Sequence, residues 1–88
     1  VVFIGLPKNL LSKGGEFMDE FRLLYDFGRN LRDLLKEARI SQSELSMMTG
    51  IPKSNISKYI TGTQMPSLKN VVSIMIALNC EFDDLVDY

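Results

Sequence analysis

Between residues 42 and 64 the chain concentrates side chains that donate and accept hydrogen bonds without carrying out bond-breaking chemistry: Gln42, Lys53, Ser54, Asn55, Ser57, Lys58 and Gln64. Histidine is absent and cysteine occurs once, at Cys80, so no acid–base pair, nucleophile dyad or zinc site of the usual composition can be assembled. The available chemistry is recognition. A lysine can donate to O6 and N7 of guanine, a serine can meet either kind of base edge, and an asparagine can pair with adenine or hold a phosphate. Ile51, Ile56 and Ile60 recur on one side of this stretch, which leaves Pro52, Lys53, Ser54, Ser57 and Lys58 on the other, with Asn55 at the flank.

The elements that must position these groups are marked by short-range signals. Ser41 followed by Glu44 is a capping box and predicts a helix from Gln42 to Thr49, with Leu45 and Met48 inward. Gly50 can end it in a left-handed conformation. Pro52 suits the first turn of a second helix, predicted from Pro52 to Thr61 and closed by Gly62. Two short helices joined in this way form a helix-turn-helix, the second of which reads the DNA major groove. Gln42, at the amino end of the first, is placed to grip a phosphate together with the free helix amides. Base contact is assigned to Lys53 and Ser54 at the front of the second helix; Lys58, Asn55 and Ser57 stand equally as DNA contacts, Asn55 and Ser57 to the backbone beside Gln42, or as ordinary solvated residues.

Upstream, Glu16, Asp19 and Glu20 before Phe21, Leu24 and Tyr25 predict a short helix. Gly28 weakens its continuation, so a new helix is predicted from about Phe27 to Arg39, capped by Asp26, with Leu31, Leu34, Leu35 and Ala38 inward. Asp33 and Glu37 with Arg29, Arg32 and Lys36 are read as its solvated face, from which some of the cations can reach phosphate. Downstream, Ser67 caps a helix from Leu68 to Asn79 whose stripe is read as Leu68, Val71, Val72, Met75 and Leu78, and a last short helix spans Phe82 to Val86. Residues 1–25 are read as an amino-terminal arm, the first 17 of them either native or a fusion remnant with Met18 as the original start, and 26–88 as the domain. Val1 to Ile4 resemble a short strand.

Charge qualifies this reading. The chain of 88 residues has a net charge of −1, which disfavours phosphate contact taken whole. From Lys36 to Lys69, however, five cations face two carboxylates, a local balance of +3, while Glu81, Asp83, Asp84 and Asp87 make the tail acidic. No apolar run approaches the ~20 residues of a membrane span. A cytoplasmic location is expected, without metal or cofactor. Cys80 reads as a small, partly buried residue after a helix rather than a reactive thiol.

Residues 27–86 resemble the Cro/CI-type helix-turn-helix family of phage and bacterial regulators, also called xenobiotic-response-element-like. The resemblance is carried by Ser41, Gln42, Leu45 and Ser46; by Gly50, Ile51, Pro52, Ile56 and Ser57; by Ile60, Thr61 and Gly62; by Pro66, Ser67 and Val71; and by Ala77 to Cys80 with Phe82 and Leu85. It implies an all-α, compact five-helix lambda-repressor-like domain preceded by an extension, in a bacterial or phage-encoded protein. It also implies a phosphate contact at Gln42, base reading at Pro52, Lys53, Ser54 and Lys58, and a backbone contact at Gln64. Where many members pair an arginine with a glutamate, this chain has Leu35 and Ile60, which are expected to meet in the core. The function expected is a transcriptional repressor bound as a homodimer to a pseudo-palindromic double-stranded operator, since one recognition helix covers few base pairs. Phe82, Leu85 and Val86 are offered as the dimer surface or, equally, as the end of the core. The alternative is an antitoxin-like interaction module with secondary DNA binding; an enzyme is not expected.

Overall fold

Residues 20–87 are described by the computed structural model, and within them the chain forms five helices and no strand. They are α1 (Glu20–Ala38), α2 (Gln42–Thr49), α3 (Lys53–Thr61), α4 (Leu68–Leu78) and α5 (Phe82–Leu85). The expectations for residues 1–17, including the strand-like start, lie outside the described residues.

The all-α architecture follows from local signals that operate as expected. The Ser41 hydroxyl accepts from the Glu44 amide at 3.0 Å, and the Glu44 carboxylate accepts from the Ser41 amide at 2.8 Å, closing the capping box. Gly50 (φ 81°) and Gly62 (φ 76°) end α2 and α3 in the left-handed region. Ser67 caps α4 by accepting from the Asn70 amide at 3.2 Å. Pro52 differs by one position: it is the cap of α3 rather than its first helical residue, and its carbonyl accepts from the Asn55 and Ile56 amides.

The predicted break at Gly28 does not occur. α1 runs unbroken through it, and Asp26 is a buried residue of the helix interior, flanked by Arg22 at 3.7 Å and Arg29 at 3.8 Å, rather than a cap. The glycine has another purpose. A Cβ there would lie 2.5 Å from the carbonyl oxygens of both Tyr59 and Ile60, so its missing side chain lets the end of α3 pack directly on α1.

α1 packs most extensively on α3 and also reaches α4 and α5, while α2 bridges α3 and α4. The core comprises Phe27, Leu31 and Leu35 of α1, Leu45 of α2, Ile51, Ile56 and Tyr59 around α3, Val71 and Ile74 of α4, and Leu85 with Val86. Tyr59 was not expected among them. Its ring meets Phe27 edge-on at 6.2 Å, and its hydroxyl accepts from the Asn70 side chain at 2.9 Å, so its polar end is satisfied in a buried position. Leu35 is buried and Ile60 is half-buried, packed against this core; both line one cleft.

Four inward assignments are corrected. Met48 is 52% exposed, because an eight-residue helix needs only Leu45, with Ile51 after it, to anchor it. Ala38 is exposed at the end of α1. On α4 the inward stripe is Val71, Ile74, Met75 and Leu78, while Leu68 (78%) and Val72 are exposed. That helix is apolar nearly all round, so periodicity alone cannot select its buried face. Leu85 and Val86 complete the core and cannot form a dimer surface; only Phe82 of that trio is exposed. Asn30 fastens α5 by donating to the Leu85 carbonyl at 2.9 Å. Cys80 is half-buried, and burial, followed by the Asp84 and Glu81 carboxylates, pushes its thiol above the ordinary range, disfavouring the reactive thiolate.

Candidate nucleic-acid interface

The turn between α2 and α3 is fixed by side chains as well as backbone. The Thr49 hydroxyl donates to the Leu45 carbonyl at 2.8 Å and accepts from the Ile51 amide at 3.2 Å. The Ser46 hydroxyl donates to the Ile51 carbonyl at 2.6 Å. With Ile51 buried between them, the two helices are held as one unit. At the other end of α3 the Lys58 carbonyl accepts from the Thr63 amide at 2.9 Å and from the hydroxyls of Thr61 and Thr63, so the loop leaving the helix is tied to its last turn.

These constraints set the outward face of α3. Pro52, Lys53, Ser54 and Lys58 are exposed, Asn55 and Ser57 are half-buried at the flank, and Gln64 is half-buried in the following loop. Neither Lys53 nor Lys58 makes an ion pair among the described residues, so both ammonium groups remain available to a ligand. Ile56 and Tyr59, fully enclosed on the opposite side, fix the rotation of the helix.

Gln42 and Ser57 are brought together across the two helices. The Ser57 hydroxyl donates to Gln42 Oε1 at 2.6 Å. This bond occupies the acceptor of the amide and leaves its two N–H donors for another group, an arrangement suited to a phosphate oxygen. Sequence reasoning treated the two residues separately. Gln64 makes no hydrogen bond to the other candidates and joins the site only as part of the loop after α3. The contributions missed were Tyr59, which orients the helix, and Thr61 and Thr63, which fix its end. The Thr61-Gly62-Thr63 composition was a usable signal for the latter, because short hydroxyl side chains commonly bond to nearby carbonyls.

Among the described residues no helix is long and apolar enough to cross a membrane, and no group of three or more metal-ligating side chains converges.

A family model described as helix-turn-helix matches residues 31–85, from the middle of α1 to the end of α5. Among solved structures, the chain is similar to the restriction-modification controller protein C.AhdI from Aeromonas hydrophila. The two share 31% sequence identity with a TM-score of 0.67, over 70% of this chain and 94% of that one. No curated protein matches the sequence.

Proposed function

The chain belongs to the Cro/CI-type helix-turn-helix family of DNA-binding regulators, which are not enzymes, and on that basis we propose that it is a sequence-specific transcriptional repressor acting on a pseudo-palindromic operator. The observation that carries the reading is the outward face of α3: Lys53, Ser54 and Lys58 exposed and unpaired beside a Gln42 amide whose donors are left free by Ser57. Lys53, Ser54 and Lys58, with Pro52, read base edges; Gln42, Asn55, Ser57 and Gln64 hold the backbone. The likeness to a restriction-modification controller protein supports a regulatory role.

A titration against duplex DNA at two salt concentrations, followed by selection from a random duplex pool, tests the reading. Affinity should fall steeply with salt, and one dyad-symmetric sequence should emerge. Little affinity at any salt would instead favour the antitoxin-like alternative.

Dimerisation requires a surface other than the buried Leu85 and Val86. Leu68, Val72 and Ile76 form an exposed apolar row four residues apart on α4, and Ile76 shares a groove with Met48 of α2. Lys69 is the only charged residue of α4, so a second copy can approach this face across a two-fold axis without opposing like charges. The four side chains make a small apolar patch, which suits a weak dimer tightened by DNA. Ile76→Asp should therefore leave the fold intact and yield a monomer by light scattering. It should lower affinity for a two-half-site duplex by about 30-fold or more while sparing a single half-site. Unchanged dimerisation would place the interface elsewhere.

A further inference from the structure

The DNA-binding reading uses the cations around α2 and α3 and leaves the acidic end of the chain, Glu81 to Asp87, unexplained. Beside that end the surface opens into a groove of about 90 Å³. Leu23 and Phe27 of α1, Met65 and Pro66 of the loop before α4, and Phe82 and Val86 of α5 line it, and every lining side chain is apolar. Phe27 and Val86 are buried, whereas Met65 (41%) and Phe82 (43%) keep much of their surface in water. The groove thus has a packed floor and a rim that gains by being covered.

We propose that this groove is a docking site for a cationic segment of a second protein. An aliphatic or aromatic side chain of that segment enters beside Met65 and Phe82, and its flanking lysines or arginines face Glu20, Glu81 and Asp83. Occupancy of the site does not depend on what α3 binds.

The carboxylates surround the groove from two helices. Glu20 precedes Leu23 by three residues and Phe27 by seven, which puts it on the same face of α1. Glu81 and Asp83 stand on either side of Phe82 in the chain, and all three carboxylates are exposed. Glu20 and Glu81 make no ion pair among the described residues. Two other acids are already engaged: Asp84 Oδ2 accepts from the Glu81 amide at 2.8 Å, and Asp87 pairs with Arg29 at 3.1 Å. No cation lines the groove, and Lys69, two residues before Val71, is turned to the opposite side of α4. The negative field is registered nearby at Cys80, where the Asp84 and Glu81 carboxylates add to burial in raising the thiol.

This charge selects the occupant. Nucleic acid and anionic lipid are repelled by it. A second copy of the chain, approaching across a two-fold axis, would set Glu20, Glu81 and Asp83 against their own counterparts. A partner that carries cations around an apolar anchor gains from both the groove and its surroundings.

Fluorescence anisotropy with a labelled amphipathic peptide of leucine and lysine, about 14 residues long, tests the site against the same peptide with glutamate in place of lysine. The lysine peptide should bind about tenfold or more tightly than the glutamate peptide at ~0.05 M salt, and the advantage should shrink at ~0.5 M. Amide chemical-shift changes should centre on Leu23, Met65 and Val86 rather than on Val72 and Ile76. Met65→Lys, at an exposed loop position, should weaken the lysine peptide by about tenfold or more, and Glu20→Gln with Asp83→Asn by about threefold or more, without lowering the melting temperature appreciably. Absence of binding, equal binding of the two peptides, shifts confined to α4, or undiminished binding by Met65→Lys would each overturn the site. A lower mass in solution for Met65→Lys would give the groove to a second copy, and peptide binding seen only after removal of residues 1–17 would give it to the start of the chain; either result overturns the second-protein assignment.

Discussion

Gly28→Ala is expected to destabilise the protein by about 2–4 kcal/mol, although alanine is the better helix former by about 1 kcal/mol. Propensity and packing oppose one another here, and packing dominates. The added methyl group would lie 2.5 Å from two backbone carbonyl oxygens, those of Tyr59 and Ile60, and 3.0 Å from the Ile60 carbonyl carbon. Backbone atoms cannot rotate aside as a flexible side chain can, so α3 must move off α1 as a body. That movement would open the principal helix–helix contact of the fold and separate the edge-on rings of Phe27 and Tyr59. For a domain of this size the melting temperature should fall by roughly 10–20 °C. Calorimetry or thermal circular dichroism reads this directly. A melting temperature equal to or above the parent's would mean that α3 does not press on α1 at Gly28. DNA affinity should fall beyond what the unfolded fraction accounts for, because the same displacement tilts the reading helix.

The misreading of Gly28 shows where sequence reasoning runs out in this fold. The Ser41–Glu44 capping box and the Gly50 and Gly62 stops are contained within a few residues, and their bonds form without help from the rest of the chain. Gly28 is a weak helix residue by every local measure, and what explains it is a carbonyl pair on another helix. The same limit hides Tyr59: a phenol on a short polar helix gives no sign that Asn70 will satisfy its hydroxyl inside the core. On α4 the difficulty is of another kind. Val71, Val72, Ile74, Met75, Ile76 and Leu78 leave several equally apolar faces, and only the placement of α2 and α1 selects Val71 and Ile74 for burial. The row left outside, Leu68, Val72 and Ile76, is the one that suits a second copy.

The candidate interface was more legible than its supports. An outward face is the complement of an inward one, so Ile51 and Ile56 together locate Lys53, Ser54 and Lys58. The bond between Ser57 and Gln42 joins two helices and could not be read from either.

Lys53→Ala should lower affinity for the selected operator by about 10- to 100-fold and relax the preference at one position of each half-site, with little effect on stability. Lys53 stands in the first turn of α3, exposed and without an ion pair, directly after the Pro52 cap. The turn preceding it is held by Ser46 and Thr49, so the lysine is presented on a backbone that need not reorganise on binding. Gln42→Leu provides the contrast. It removes a backbone donor and strands the Ser57 hydroxyl, so affinity should fall for all sequences in similar proportion and the preference should persist. Competition binding against a panel of single-base operator variants separates the two patterns. The expected result is a flattened profile at one position for Lys53→Ala and a uniformly lowered, unflattened profile for Gln42→Leu. Should Lys53→Ala keep both the operator and the affinity, α3 would have to enter the groove on a face other than the one set by Ile56 and Tyr59. Because those two side chains are fully enclosed, that outcome would contradict the fold as well as the site.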